Sequence, residues 1–181
     1  MKKIALIFLS LIVLSCTDSK NNKKYQTEIE NLQVSVDSLK KVIVQDKAVQ
    51  ENKISTFLTF QDNNAENAMN FYVALFSNSK IIDVQRWGKD APVEEGKIMH
   101  ATFNLNGSLF MCSDSPPIHE WGFTPAVSNY IECENEGEQE RLFLKLSENG
   151  NVMMPLNNYG FSQKFGFVED QFGVSWQLNL K

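Results

Sequence analysis

Few side chains in this chain of 181 residues are equipped for chemistry, and those few are scattered. His100 lies in a strand-like run and His119 in a segment rich in proline and aromatics. A polar strand residue and a surface loop residue are the simpler reading of the two, and a catalytic pair stays open. Cys112 and Cys133 each close an apolar, strand-like run, which reads as two buried thiols. An oxidising compartment would permit a bridge between them. No Cys-x-x-Cys spacing points to a metal or redox site. Glu132 sits in a strand beside apolar neighbours and reads as outward-facing, while Asp62 and Asp170 read as turn residues. No Ser/His/Asp or Cys/His set is recognisable. Trp87, Trp121, Phe123 and Trp176 are candidates for an apolar pocket wall or for ordinary packing. One polar residue stands out by position. Val174, Trp176, Leu178 and Leu180 alternate with Ser175, Gln177 and Asn179, so Gln177 lies mid-strand on a polar face.

The composition is 43% hydrophobic and the formal charge is −5. That suits one ordinary domain with extensions. The acidity and the scatter of Lys and Arg argue against nucleic acid as a partner, because phosphate binding needs clustered cations.

The chain begins with a short basic region, Lys2-Lys3, and an apolar run over residues 4–14. That pattern is a secretory signal, too short for a comfortable permanent span. The run ends in Val13-Leu14-Ser15-Cys16, which resembles a bacterial lipobox. The resemblance implies cleavage after residue 15, lipid on Cys16, membrane attachment, and a place in the bacterial envelope outside the cytoplasm. Each buried methylene of the lipid would contribute about 0.8 kcal/mol to anchoring.

Residues 16–24 are polar and read as a tether. Over residues 25–50, Tyr25, Ile29, Leu32, Val36, Leu39 and Ile43 recur at alternating spacings of four and three, with no Gly or Pro between them. This is an amphipathic helix with a coiled-coil-like seam. The seam fails at Asp46 and Gln50, so a homodimer and a lone stalk both stay open.

From residue 53 the texture changes to an α+β pattern. Residues 54–60 read as a strand, 61–64 as a turn rich in helix-capping residues, and Ala68, Met69, Tyr72, Leu75 and Phe76 as one face of a helix. Three strands follow, the last two joined by the hairpin signal Asn106-Gly107. A linker with Pro116-Pro117, His119, Trp121 and Phe123 leads to a second strand, helix and three strands, with residues 155–160 read as a loop. Residues 71–81 and 142–152 align without a gap, including Leu75 with Leu146 and Asn78 with Asn149. The chain carries an internal βαβββ duplication.

Duplicated βαβββ units, with Ala65-Glu66-Asn67-Ala68-Met69-Asn70-Phe71-Tyr72, Ala101-Thr102-Phe103-Asn104-Leu105-Asn106-Gly107 and Val168-Glu169-Asp170-Gln171-Phe172-Gly173-Val174-Ser175-Trp176-Gln177 in this order, resemble the vicinal oxygen chelate superfamily (glyoxalases, bleomycin-resistance proteins, dioxygenases). The branch they look like is PhnB-like, and the match covers residues 53–181. The resemblance implies two modules curving a mixed sheet around a pocket. Metal-using members place a ligand at four positions, which here read Ser55, Met111, Ser128 and Gln177. Two hydroxyls, a thioether and an amide suit a divalent metal poorly. His100, Trp121 and Trp176 are further candidates for the pocket wall. Some relatives carry a methyltransferase label, but no Gly-rich nucleotide loop follows a strand here. The reading is a small-molecule binding module without a cofactor. Its alternatives are a metal-dependent lyase or isomerase of glyoxalase type, using Gln177 with His100 or His119, and a structural protein whose helix serves a partner.

Overall fold

The computed structural model describes residues 19–50 and 54–180, with side chains of the first segment described over residues 25–41. The secretory signal and Cys16 lie outside the described residues. The chain divides into two units, Met1–Lys47 and Ala48–Lys181.

The first unit holds most of helix α1, Ser19–Gln50. It begins inside the segment expected as a tether, because residues 20–24 contain neither Gly nor Pro to stop a helix. Ser35 and Ser38 donate their hydroxyls to the carbonyls of Asn31 and Val34 one turn back, so neither breaks the helix. Ile29, Leu32 and Leu39 are each more than half exposed and form one stripe. No helix among the described residues is long and apolar enough to cross a membrane.

The second unit has two modules of one design. The first comprises β1 (Thr56–Phe60), α2 (Ala65–Leu75), β2 (Lys80–Arg86), β3 (Ile98–Leu105) and β4 (Ser108–Asp114). The second comprises β5 (Asn129–Cys133), α3 (Glu136–Ser147), β6 (Asn151–Asn157), β7 (Phe165–Glu169) and β8 (Ser175–Leu180). The strand orders are β1-β4-β3-β2 and β5-β8-β7-β6, each parallel at its first pair and antiparallel elsewhere. This is the α+β architecture expected from the sequence. The duplication extends to backbone detail. Asn78 and Asn149, aligned in sequence, both take positive φ, 53° and 58°, just after their helices. Asn tolerates this left-handed conformation, which lets the chain turn back into a strand. At the β3–β4 hairpin Asn106 and Gly107 take φ of 46° and 94°, as the Asn-Gly pair demands.

Two local expectations fail. Pro155 lies inside β6 rather than in a loop. It is tolerated because β6 is an edge strand and its pairing with β7 slips between Met154 and Asn157. The capping-rich turn before α2 does not cap it: Asn64 sits at φ −99°, ψ 3° and makes no side-chain cap hydrogen bond. That conformation differs from the extended backbone usual at an N-cap.

One core joins the modules. Tyr72, Phe60, Phe103 and Met69 of the first are buried with Leu142, Leu146, Val168 and Leu178 of the second. Cys112 and Cys133 are free and buried, and burial pushes their thiols up to about 12 and about 11. At neutral pH such thiols are protonated and inert. Trp176 is the junction, with its ring 5.2 Å from Tyr72, 5.3 Å from Phe76 and 6.5 Å from Phe110.

Candidate functional site

The ladder register places the four expected site residues in matching pairs. Met111 opposes Phe57 across β4–β1, and Gln177 opposes Tyr130 across β8–β5. Ser55 and Ser128 each lie two residues before those partners, just ahead of the first strand of their module. Sequence and topology therefore agree that the positions are equivalent between modules. In the second module the pair makes contact: Gln177 Nε2 donates to Ser128 Oγ at 2.7 Å. Ser55 and Ser128 also line one cavity together.

That cavity, about 550 Å³, is lined from both modules, and the edge strands β1 and β5 both contribute to it. Its apolar lining comes from Phe76, Leu105, Leu109, Phe110, Ile131 and Trp176, of which Leu105, Phe110 and Trp176 are almost wholly buried. Ser55, Ser108, Ser128 and Asn129 supply neutral polar groups at the rim, and Tyr130 and Glu132 reach it from β5. The lining mixes apolar and polar groups, with somewhat more polar than apolar surface open to the cavity, and the volume is within the usual range for a small-molecule site, roughly 300–1,000 Å³. Burial, followed by the charge of Glu132 and a hydrogen bond to it, raises the Tyr130 phenol above its ordinary pKa, so it stays neutral at physiological pH. A smaller cavity of about 340 Å³ shares Thr56, Ser128 and Asn129 with the first. Ser175 lines it, and the Ser175 hydroxyl is buried without a hydrogen-bond partner.

The other expected residues are placed elsewhere. Met111 and Gln177 do not line the larger cavity; both are half-buried, with their strand partners Phe57 and Tyr130 about half exposed. His100 packs against Phe57 with the rings tilted by 50° and their centroids 5.7 Å apart. Trp121 is exposed and stacks on His119 at 4.6 Å, with Gln61 holding the segment through Trp121 O at 2.6 Å and His119 N at 2.9 Å. Trp176 does wall the cavity, but from the apolar face of β8 rather than from the polar face that carries Gln177. Phe76, Phe110 and Tyr130 escaped the sequence reading. They come from the end of α2, from β4 and from β5, and no local pattern records that they line one cavity.

The donor set suits a divalent cation poorly. Ser55, Met111, Ser128 and Gln177 offer no imidazole, carboxylate or thiolate, and the Gln177 carbonyl oxygen is the one donor of family type among them. Such a set does not fit the cation. Among the described residues no three His, Cys, Asp or Glu side chains gather as they would around a metal.

Comparisons with known proteins agree with this architecture. A family profile described as 3-demethylubiquinone-9 3-methyltransferase matches residues 52–179. A solved structure titled a putative 3-demethylubiquinone-9 3-methyltransferase, PhnB protein, from Bacillus cereus is 50% identical, over 72% of this chain and 100% of that one, with a TM-score of 0.69. Protein PA1353 from Pseudomonas aeruginosa is 29% identical over 72% of this chain and 98% of that one, at a TM-score of 0.62. Protein YjdN of Escherichia coli is 30% identical over 83 residues, which is 46% of this chain and 56% of that protein, little more than half its length. With its two βαβββ modules and a family match spanning most of its length, the chain belongs to the PhnB-like family described as 3-demethylubiquinone-9 3-methyltransferase.

Proposed function

We propose that the domain is a small-molecule binding module that works without a catalytic metal. The cavity lined from both modules carries this reading: it brings apolar side chains together with hydroxyls and amides. The donor chemistry at the four family positions supports the metal-free part. The methyltransferase in the family's description finds no support in the loops that lead into the helices. Residues 61–64 and 134–135, which join β1 to α2 and β5 to α3, contain no glycine. A thermal-shift screen of small aromatic compounds against the full chain should find stabilising ligands. Ser55→Trp, which fills the rim, should remove that stabilisation while leaving the ligand-free melting temperature nearly unchanged. Stoichiometric Ni, Zn, Mn or Fe in the purified chain, lost together with activity in Gln177→Ala, would overturn the metal-free reading in favour of the glyoxalase-type one.

In this reading residues 1–15 are a secretory signal, and lipid on Cys16 attaches the protein to a membrane outside the cytoplasm. The exposed stripe on α1 supports self-association into a homodimer. Leu32→Lys with Leu39→Lys should then halve the mass seen by light scattering, and an unchanged mass would rule the seam out. Replacing Cys16 with Ser should release the protein from the membrane fraction.

A further inference from the structure

We infer that the smaller cavity binds a neutral ligand by its carbonyl oxygen. The hydroxyls of Ser128 and Ser175 donate to that oxygen, and the apolar body of the ligand lies against Phe57 and Val127. The inference goes beyond the reading above, which rests on the larger cavity.

Trp176 and Leu178 lie in the core, so Ser175 and Gln177, which alternate with them, take the opposite face of β8. Ser128 shares that face, since its Oγ accepts from Gln177 Nε2 at 2.7 Å. Ser128 and Ser175 stand one step ahead of the paired Asn129 and Trp176, level with each other on neighbouring parallel strands, and both line the cavity. Adjacent strands lie about 4.8 Å apart, a gap that one oxygen can bridge with two bonds of about 2.8 Å. The Ser175 hydroxyl, 2% exposed, has no hydrogen-bond partner. The Ser128 oxygen accepts from Gln177, and among the described residues no hydrogen bond uses the Ser128 hydroxyl proton. A buried hydroxyl left unpaired is costly, and a ligand oxygen with two lone pairs would accept from both serines.

Charge and surface narrow the ligand further. No charged side chain lines the cavity among the described residues, so nothing there offsets a carboxylate or pairs an ammonium. The surface open to the cavity is mainly apolar. Phe57, 47% exposed, takes the side of β1 opposite the core residue Leu58, and Val127 is 81% exposed, so both offer open apolar area. The wall supplied by residues 122–127 is lightly held. Its one internal backbone hydrogen bond runs from Val127 N to Thr124 O at 3.4 Å, which lets the wall give way to a ligand.

Acetophenone and α-methylstyrene test the inference, because they differ only by a carbonyl oxygen in place of a methylene group. Benzoate adds the charge. Amide chemical-shift titrations are run on the full chain carrying Ser55→Trp, in which the larger cavity is filled. Acetophenone should bind roughly three- to tenfold more tightly than α-methylstyrene, with benzoate weakest. Adding Ser175→Ala should remove most of that preference. It should leave the melting temperature nearly unchanged, because the lost hydroxyl bonds nothing in the free chain. Equal affinity for the two neutral probes would leave the hydroxyls to water and overturn the inference. So would a preference that survives Ser175→Ala, a large loss of stability in that variant, or tighter binding of benzoate. Acetophenone bound by the wild-type chain but not by Ser55→Trp would place it in the larger cavity, overturning this inference and keeping the binding reading above.

Discussion

The two modules share an order of elements and a register, yet they hold their helices in different ways. In the second module the device is local. Asn135 precedes α3 in extended backbone and its side chain accepts from Glu138 N at 3.0 Å, while Glu138 reaches back to Glu134 N at 2.8 Å. In the first module the cap comes from the far end of the unit. Asp114, at the end of β4 and 1% exposed, accepts from Ala65 N and from Ile98 N, both at 2.9 Å. One carboxylate therefore joins the start of α2 to the start of β3. A local cap secures a helix; a remote cap secures a helix together with its sheet. After duplication each copy could settle its helix terminus by either route, provided the orphan donors were met.

A second buried carboxylate extends the contrast from within the modules to between them. Asp170, in the β7–β8 turn and 3% exposed, accepts from Phe172 N at 2.9 Å, Val174 N at 3.0 Å, Trp176 Nε1 at 2.8 Å and, from the first module, Tyr72 Oη at 2.7 Å. It braces the turn and links the modules in one step. Asp170→Ala leaves four donors without an acceptor, two of them on buried aromatic side chains, and should cost roughly 3–5 kcal/mol of stability in chemical denaturation. Asp170→Asn keeps an acceptor oxygen in place and should cost less. If the two variants lose the same small amount, the modules are held by apolar packing alone.

The sequence disclosed whatever is written locally. The element order followed from alternation and helical spacing, and the duplication from residues such as Leu75 with Leu146 and Asn78 with Asn149. The hairpin at Asn106-Gly107 was legible because its residues have few alternatives at positive φ. Asp114 and Asp170 were not legible as braces, since each acts on residues 49 and 98 positions away, at Ala65 and Tyr72. Asp170 looked like an ordinary turn residue, and it is one, but its carboxylate also serves Tyr72. The site divides in the same way. Ser128 and Gln177 could be paired through repeat positions. The cavity lining could not be foreseen, because its residues come from the end of α2, from β3, β4 and β5, and from β8, in two different modules.

The two kinds of cap are separable by mutation. Asp114→Ala leaves the amides of Ala65 and Ile98 without their acceptor in a buried setting, at a cost of about 2–3 kcal/mol. Asn135→Ala removes a local cap at an exposed terminus and should cost about 1 kcal/mol. Amide hydrogen exchange would show the difference in reach. Asp114→Ala should expose both α2 and the start of β3 to exchange, whereas Asn135→Ala should affect the first turn of α3 alone. Exchange confined to the first turn of α2 in Asp114→Ala would reduce the remote cap to an ordinary one.

The smallest expected effect sets the same two regions against each other through pH. In the first module Glu66 on α2 takes a two-point ion pair from Arg86 on β2, at 2.6 and 2.9 Å, and this pair holds the carboxyl below its usual pKa. A carboxyl depressed in the folded state contributes stability above its unfolded pKa and loses it as pH falls through the folded one. For Asp170 burial outweighs the four hydrogen bonds and raises the carboxyl. Its contribution has the opposite sign: fully present below the unfolded pKa, it declines as pH rises through the raised folded value. Glu66 and Arg86 are both more than 40% exposed, so solvent screening keeps the Glu66 contribution slight. Across the acid range, Glu66→Gln should therefore flatten the part of the stability profile that rises with pH, and Asp170→Asn the part that falls. Salt should weaken the first effect and leave the second nearly intact, because the surface pair is screened and the buried carboxylate is not. If denaturant titrations at several pH values gave both variants the same change in slope, the exposed brace of the first module and the buried brace of the second would not differ electrostatically.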